Sequence, residues 1–258
     1  MRRDVLIRLA FILLFAAACV PARVASAKTR VKSPLAGSRQ VVLVTTPDWD
    51  SVRGTLRRFE RRGERAGWTQ VGEAFEIVVG RSGLGWGAGL IETEGEGPSK
   101  REGDGRAPAG VFALTRAFGF ASAGEAAWIR LPYTPLTGGV ECVDDTASAS
   151  YNRVVDRADV KAADWNSSER MREVEGYRWG IVVAHNARAV PGRGSCIFLH
   201  VWAGPQKGTA GCTAMEQPNL ETLLRWLDAK KRPLLVQLPE PEYARLRPVW
   251  KLPAARTH

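Results

Sequence analysis

Read for the spacing of its apolar residues, the chain is a series of short hydrophobic runs separated by polar, glycine-rich stretches. Gln40 to Thr45 (QVVLVT) is rich in β-branched residues and is followed by Pro47, which predicts a strand. Phe75 to Val79 (FEIVV), Pro108 to Leu114 (PAGVFAL), Tyr177 to Ala184 (YRWGIVVA), Ser195 to Trp202 (SCIFLHVW) and Leu234 to Leu238 (LLVQL) have the same character. Two segments have helical spacing. Asp50 or Ser51 can cap a helix running to about Arg62, with Val52, Leu56 and Phe59 on one face. Pro218 to Asp228 has Leu220, Leu223, Leu224 and Leu227 at i, i+3, i+4 and i+7, with the proline suited to the first turn. Many short strands and few helices predict a mainly β (α+β) domain, a sandwich or barrel with a few peripheral helices.

The polar stretches set the boundaries. Residues 28–38 lack large apolar side chains and are expected to be a linker, so that a single domain spans 39–250 and 251–258 form a tail. The glycines at 80, 83, 85, 87 and 89 are read as turns between strands, because they lack both the strand–GxGxxG–helix setting and a terminal GK[ST]. Residues 92–106 are expected to form an exposed loop, and 144–176 to be irregular or partly helical. At the start of the chain Arg2, Arg3 and Arg8 precede an apolar run from Leu9 to Val20, and Ala25-Ser26-Ala27 has the small residues of a cleavage site. That order predicts an export signal over 1–27 and a mature start at Lys28. Phe15-Ala-Ala-Ala-Cys19 offers a rival reading as a lipoprotein signal acylated on Cys19.

Charge changes this picture little. The formal net charge is +10, and removing residues 1–27 takes away four Arg and one Asp to leave +7. The excess is spread along the chain, and its densest run, Arg57, Arg58, Arg61 and Arg62, falls on the expected surface helix. No zinc-finger spacing or RNA-binding signature accompanies it, so a nucleic-acid partner is not predicted. Export matters more for the cysteines. Cleavage would remove Cys19 and leave Cys142, Cys196 and Cys212, an odd number in an oxidising compartment, which implies one disulfide and one free thiol. Three pairings are open on this count.

Two segments carry candidate chemistry: Ile197-Phe-Leu-His200-Val-Trp202 and Gly208-Thr-Ala-Gly-Cys212-Thr-Ala-Met215. The first places a histidine near the end of a strand. The second places a cysteine directly after a glycine, before a helix. A thiol attacks as thiolate, and a neighbouring imidazole lowers its pKa. The intervening 11 residues have a hairpin-like length that could bring the two together. Gly211 would let substrate approach closely, and backbone N–H groups around Cys212 could form an oxyanion hole. A buried, inert cysteine beside a core histidine would give the same pattern. Cys196-x-x-x-His200 with His185 has a spacing that zinc could use, which conflicts with His200 as a base.

The arrangement resembles the L,D-transpeptidase family. There a strand histidine precedes a Ser/Thr-x-Gly-Cys segment, matched here by His200 and Thr209-Ala-Gly-Cys212, and Pro108-Ala-Gly-Val-Phe112 resembles the family's Thr-Pro-x-Gly-x-Phe strand. The likeness runs loosely from Arg39 to Leu238 and is sharp at 108–112 and 197–215. The interval from histidine to cysteine is shorter than usual, and Ala214 stands where many members carry arginine; the subgroup ending Gly-Cys-x-Ala-Met is the closer match.

The resemblance implies a β-sandwich and a two-step acyl transfer without cofactor or metal. Cys212 attacks a carbonyl of a peptidoglycan stem tetrapeptide, D-alanine leaves, and an amine or water resolves the thioester. His200 takes the thiol proton and returns it. A carbonyl near Thr209 would orient the other ring nitrogen of His200. Cys142 and Cys196 become the disulfide pair and leave Cys212 free. His185, Asn186 and Trp202 would line the substrate groove, although a strand-end histidine bonded to backbone, or simple packing, reads equally well. A hydrolase on the same scaffold, a sortase-like enzyme using Arg225 or Arg232, and a non-catalytic wall-binding protein remain alternatives. No stable protein partner is expected, and the periplasm or cell envelope is the expected location.

Overall fold

The computed structural model describes residues 33–92 and 95–255. The expected export signal over 1–27, Cys19 and Lys28 lie outside the described residues. The strands are β1 (Gln40–Thr46), β2 (Arg53–Glu60), β3 (Thr69–Gln70), β4 (Phe75–Val78), β5 (Leu84–Trp86), β6 (Ala107–Gly119) and β7 (Tyr133–Pro135). They continue with β8 (Val140–Val143), β9 (Arg153–Asp156), β10 (Ser168–Arg170), β11 (Trp179–Val183), β12 (Phe198–Val201), β13 (Thr213–Met215) and β14 (Leu234–Pro239). Two α-helices, α1 (Gln217–Trp226) and α2 (Glu240–Trp250), accompany them. The domain is mainly β, as its many short apolar runs predict.

The main sheet runs β1-β14-β6-β11-β12-β13-β4-β2, and β1 also pairs with β2, so the sheet closes on itself. Closure leaves no free edge on that ring. Alternate side chains point inward and outward. Ile181, Leu199 and Met215 enter the main core, with Val41, Leu43, Phe112 and Val236. Phe118, Phe198 and Cys212 belong to a second apolar cluster. A separate three-stranded sheet, β10-β8-β9, contributes Val140 and Cys142 to that cluster, and Met171 and Tyr177 follow β10. The second core therefore lies between the outer face of the closed sheet and this small cap.

One predicted helix is a strand. Residues 53–60 pair with β1 on one side and β4 on the other. Helical spacing of Val52, Leu56 and Phe59 was a chance fit to a short window. Gly54 weakens a helix interior by about 1 kcal/mol, and it suits a strand here because a Cβ would lie 2.5 Å from the Thr45 carbonyl. The arginine run is consequently not a solvated helix face. Arg58 is buried, with its guanidinium 5.0 Å from the centre of the Phe75 ring.

The domain edges also differ from the expected ones. Leu35 is buried in the main core, and Ser33 Oγ donates to the Trp250 carbonyl, so 33–38 are folded against the domain rather than acting as a linker. At the other end Leu252 is buried and the Tyr243 hydroxyl donates to the Pro253 carbonyl. Helix α2 has weak apolar periodicity and a proline at 248, which hid it; it buries Leu246 and Trp250. Helix α1 buries Leu220, Leu223 and Leu224 as its stripe predicts.

A disulfide joins Cys142 on β8 to Cys196 just before β12, across 54 positions of sequence. It fastens the cap to the closed sheet. Replacing both cysteines with alanine is expected to lower the unfolding free energy by about 4 kcal/mol, the loop entropy released to the unfolded chain. Denaturant unfolding checks this, and a loss below about 1 kcal/mol would mean the cap holds without its tether.

Candidate active site

Strands β12 and β13 are parallel neighbours, with Leu199 opposite Thr213, His200 opposite Ala214 and Val201 opposite Met215. The 202–212 connection is thus a crossover and not the hairpin its length suggested. It returns just past the end of β4, where the Thr209 N–H donates to the Val79 carbonyl and the Thr209 carbonyl accepts from Arg81 N–H. Continuing the register back one residue brings Cys212 beside Phe198. Phe198, His200, Cys212 and Ala214 share one side of the paired strands, the side under the cap.

Cys212 is the free cysteine among the described residues. Its sulfur accepts the Phe198 N–H at 3.2 Å, and its thiol donates to the Cys196 carbonyl at 3.4 Å. Only 7% of the residue is exposed, so the sulfur is less open than the motif suggested. Burial pushes the thiol up to about 12, and the Glu169 carboxyl adds to the rise; the Phe198 N–H, Lys100 and the Tyr177 hydroxyl act in the opposite sense. At rest the group is a neutral thiol.

His200 Nδ1 lies 2.8 Å from the Val201 carbonyl. A carbonyl only accepts, so Nδ1 carries the proton and Nε2 keeps its lone pair. Burial lowers the imidazole pKa, with the Val201 carbonyl partly offsetting it, so the ring is neutral near neutral pH. Among the described residues no direct hydrogen bond joins the ring to the sulfur. Tyr177 stacks edge-on to the ring at 5.3 Å and to Phe198 at 5.4 Å. This close fit needs Gly176, where a Cβ would lie 3.1 Å from His200 Nδ1 and 2.7 Å from the Val201 carbonyl.

Thr209 does not orient His200; Val201 does. The Thr209 hydroxyl instead donates to the Cys212 carbonyl at 2.6 Å and accepts the Gly211 N–H at 3.1 Å, fixing the turn that delivers the cysteine. The Gly211 N–H is therefore committed and is not an oxyanion donor in this conformation. Gly211 sits in a tight spot, since a Cβ would approach the Arg106 carbonyl at 3.2 Å.

His185 and Asn186 are buried, each with 2% exposure, and His185 forms part of the wall of a cleft beside β9. His185 Nε2 donates to the Arg193 carbonyl at 2.8 Å, which leaves Nδ1 as a buried acceptor without a partner. Asn186, in the left-handed region at φ 48°, donates to the Val190 and Gly194 carbonyls and accepts the Val190 N–H. Both hold the 186–194 loop. Trp202 is half-buried just past β12, its N–H bound to the Met215 carbonyl. The zinc reading fails because Cys196 is in the disulfide, and no cluster suited to a metal occurs among the described residues. Arg225 lies over Trp128, and the Arg232 guanidinium packs at Gly37, so neither serves the sulfur.

Sequence reasoning missed three neighbours of Cys212. Lys100 lies in the expected exposed loop, yet its side chain is 3% exposed, and its ammonium pairs with Asp104 at 2.7 Å. Tyr177 donates to Glu169 at 2.6 Å and packs in the same buried cluster as the cysteine. No local pattern marks these residues; the loop between β5 and β6 brings in Lys100, and the cap brings in Glu169 and Tyr177. A cleft of about 540 Å³, lined by Arg116, Val154, Val182 and Phe198, runs between β9 and the closed sheet and reaches the disulfide. The sulfur is not part of its lining.

The YkuD family model, the L,D-transpeptidase catalytic domain, matches residues 54–236. The chain belongs to that family. Comparison with curated proteins and with solved structures finds no match. The match to the L,D-transpeptidase domain runs from within β2 to within β14, and takes in His200 and the segment 208–215.

Two predictions separate scaffold from substrate contact at 185–186. Asn186→Ala in the L,D-transpeptidase domain is expected to cost about 2–3 kcal/mol of stability, with KM unchanged. A raised KM with unaltered unfolding would restore the groove reading. His185 is depressed from 6.5 to about 4, chiefly by burial. Its neutral form contributes fully above pH 6.5, and the contribution is lost as pH falls from 6.5 towards 4. That loss amounts to about 3 kcal/mol. Unfolding measured across this window should show the slope in wild type and a flatter profile in His185→Gln.

Proposed function

We propose that the protein is an exported, cysteine-dependent L,D-transpeptidase acting on peptidoglycan stem peptides. The observation that carries the reading is the placement of Cys212 and His200 on one side of adjacent parallel strands, inside a domain of this family. Support for the roles comes from chemistry. The His200 tautomer set by Val201 leaves Nε2 as the base, and Cys212 is the free thiol among the described residues. Because the thiol is neutral at rest, proton transfer to Nε2 accompanies attack rather than preceding it. Sulfur adds to the stem carbonyl, the tetrahedral intermediate collapses with expulsion of D-alanine protonated by the imidazolium, and the thioester passes to an acceptor amine. In this reading the Cys212 N–H bonds the developing oxyanion.

Incubation with a carbapenem followed by intact-mass spectrometry is the first test. A single adduct is expected on the wild-type protein and none on Cys212→Ala. His200→Ala should slow adduct formation by about 10²-fold or more. Absence of an adduct while the thiol is demonstrably reduced would sink the reading. With tetrapeptide muropeptides, cross-linked dimers are the expected product; trimmed stems alone would make the protein a hydrolase. A mature protein beginning at Lys28, found in the cell envelope, is the expected result for export.

A further inference from the structure

The sulfur has two polar neighbourhoods, and the acyl-transfer scheme uses neither. On one side is Lys100, its stem against Gly211 and its ammonium paired with Asp104. On the other is Tyr177, packed in the same buried cluster as Cys212, whose hydroxyl is 2.6 Å from Glu169 Oε2. Glu169 lies on β10, in register opposite the disulfide residue Cys142 on β8, so the cap delivers it over the sulfur. Glu169 is faced by Tyr177, by Asp144 after β8, and by Glu102, whose carboxylate accepts the Tyr151 hydroxyl. Asp144 Oδ1 is buried without a partner. A second negative charge among these carboxylates is unfavourable, and burial first, then Asp144 and Glu102, raise Glu169 above the ordinary carboxylate range.

A hydroxyl has one proton to donate. If Glu169 is ionised, Tyr177 donates to it and the sulfur receives nothing from that side. If Glu169 is protonated, it can donate to Tyr177 Oη, and the phenol proton turns to the sulfur. We propose that Glu169, acting through the Tyr177 hydroxyl, controls the ionisation of Cys212: the protonated carboxyl supports the thiolate, and the carboxylate opposes it. Both are positioning residues, neither touching the acyl group. The proposal deepens the reading of Cys212 as the nucleophile, although what it states is the ionisation of the thiol alone.

The test is the rate of Cys212 alkylation by iodoacetamide against pH, read by peptide mass spectrometry on the full chain. For an isolated thiol the rate climbs tenfold per pH unit below its pKa. In wild type the climb should flatten over the range where Glu169 titrates, above the ordinary carboxylate range, and then resume. Glu169→Gln, which mimics the neutral carboxyl, should climb without a break and react about five to ten times faster than wild type above it. Tyr177→Phe should react about five to ten times more slowly than wild type below the break. An unbroken wild-type climb overturns the proposal without any variant having to fold. So does slower alkylation of Glu169→Gln at every pH, which would make Glu169 a base. Alkylation requires no stem peptide, so a break in its profile together with a missing carbapenem adduct would remove the transpeptidase reading and leave this one standing.

Discussion

The site depends on one constraint, the parallel pairing of β12 with β13. Parallel strands cannot be joined by a tight turn, so the chain must travel back the length of the strand before it can pair again. Residues 202–212 make that return, bonded through Thr209 to Val79 and Arg81 just past the end of β4. Because the pairing is in register, histidine and cysteine reach the same side of the sheet at fixed spacing. A slip of one residue would turn Cys212 into the main core, where Met215 and Leu199 now lie. The Thr209 hydroxyl, bound to both Gly211 N–H and the Cys212 carbonyl, guards that register.

The cap is the second requirement. The outer face of a closed sheet would ordinarily meet water, and a thiol and imidazole there would behave as in solution. The β10-β8-β9 sheet and the segment after it convert that face into an interior, with Phe118, Tyr177 and Phe198 packed edge-on around the cysteine. Water exclusion strengthens every charge effect inside. It makes Lys100 and Glu169 matter to a sulfur they do not touch directly, and it explains why a polar chain of Tyr177 and Glu169 sits within an otherwise apolar cluster.

The barrel strands at 40–46, 75–78, 179–183 and 234–239 were legible because each is a short β-branched or apolar run bounded by turn residues. Cys212 and His200 were legible for a different reason: the small residues around the cysteine form a recognisable motif. What could not be read depends on distant pairing. Residues 53–60 carry helix-compatible spacing and become a strand only because β1 and β4 are available on both sides. The register direction of β12 and β13, the buried Lys100, and the Tyr177–Glu169 pair each require a neighbour more than eight residues away or the cap itself. Thr209 shows the limit of carrying a role over from a motif: the position matches, but Val201 holds the histidine.

Three cysteines in one apolar cluster pose a chemical problem, because a free thiolate beside a disulfide can attack it and scramble the pairing. Exchange proceeds through the thiolate. With Cys212 pushed up to about 12, mainly by burial, only about 10⁻⁵ of it is ionised at neutral pH. The Phe198 N–H and the Cys196 carbonyl hold the thiol in place meanwhile. The same desolvation that makes the nucleophile sluggish at rest therefore preserves the Cys142–Cys196 bond on which the cap depends. An arrangement in which proton removal waits for the substrate keeps the disulfide safe and the thiol ready, whereas a preformed thiolate in this cluster would endanger the tether that builds its own surroundings.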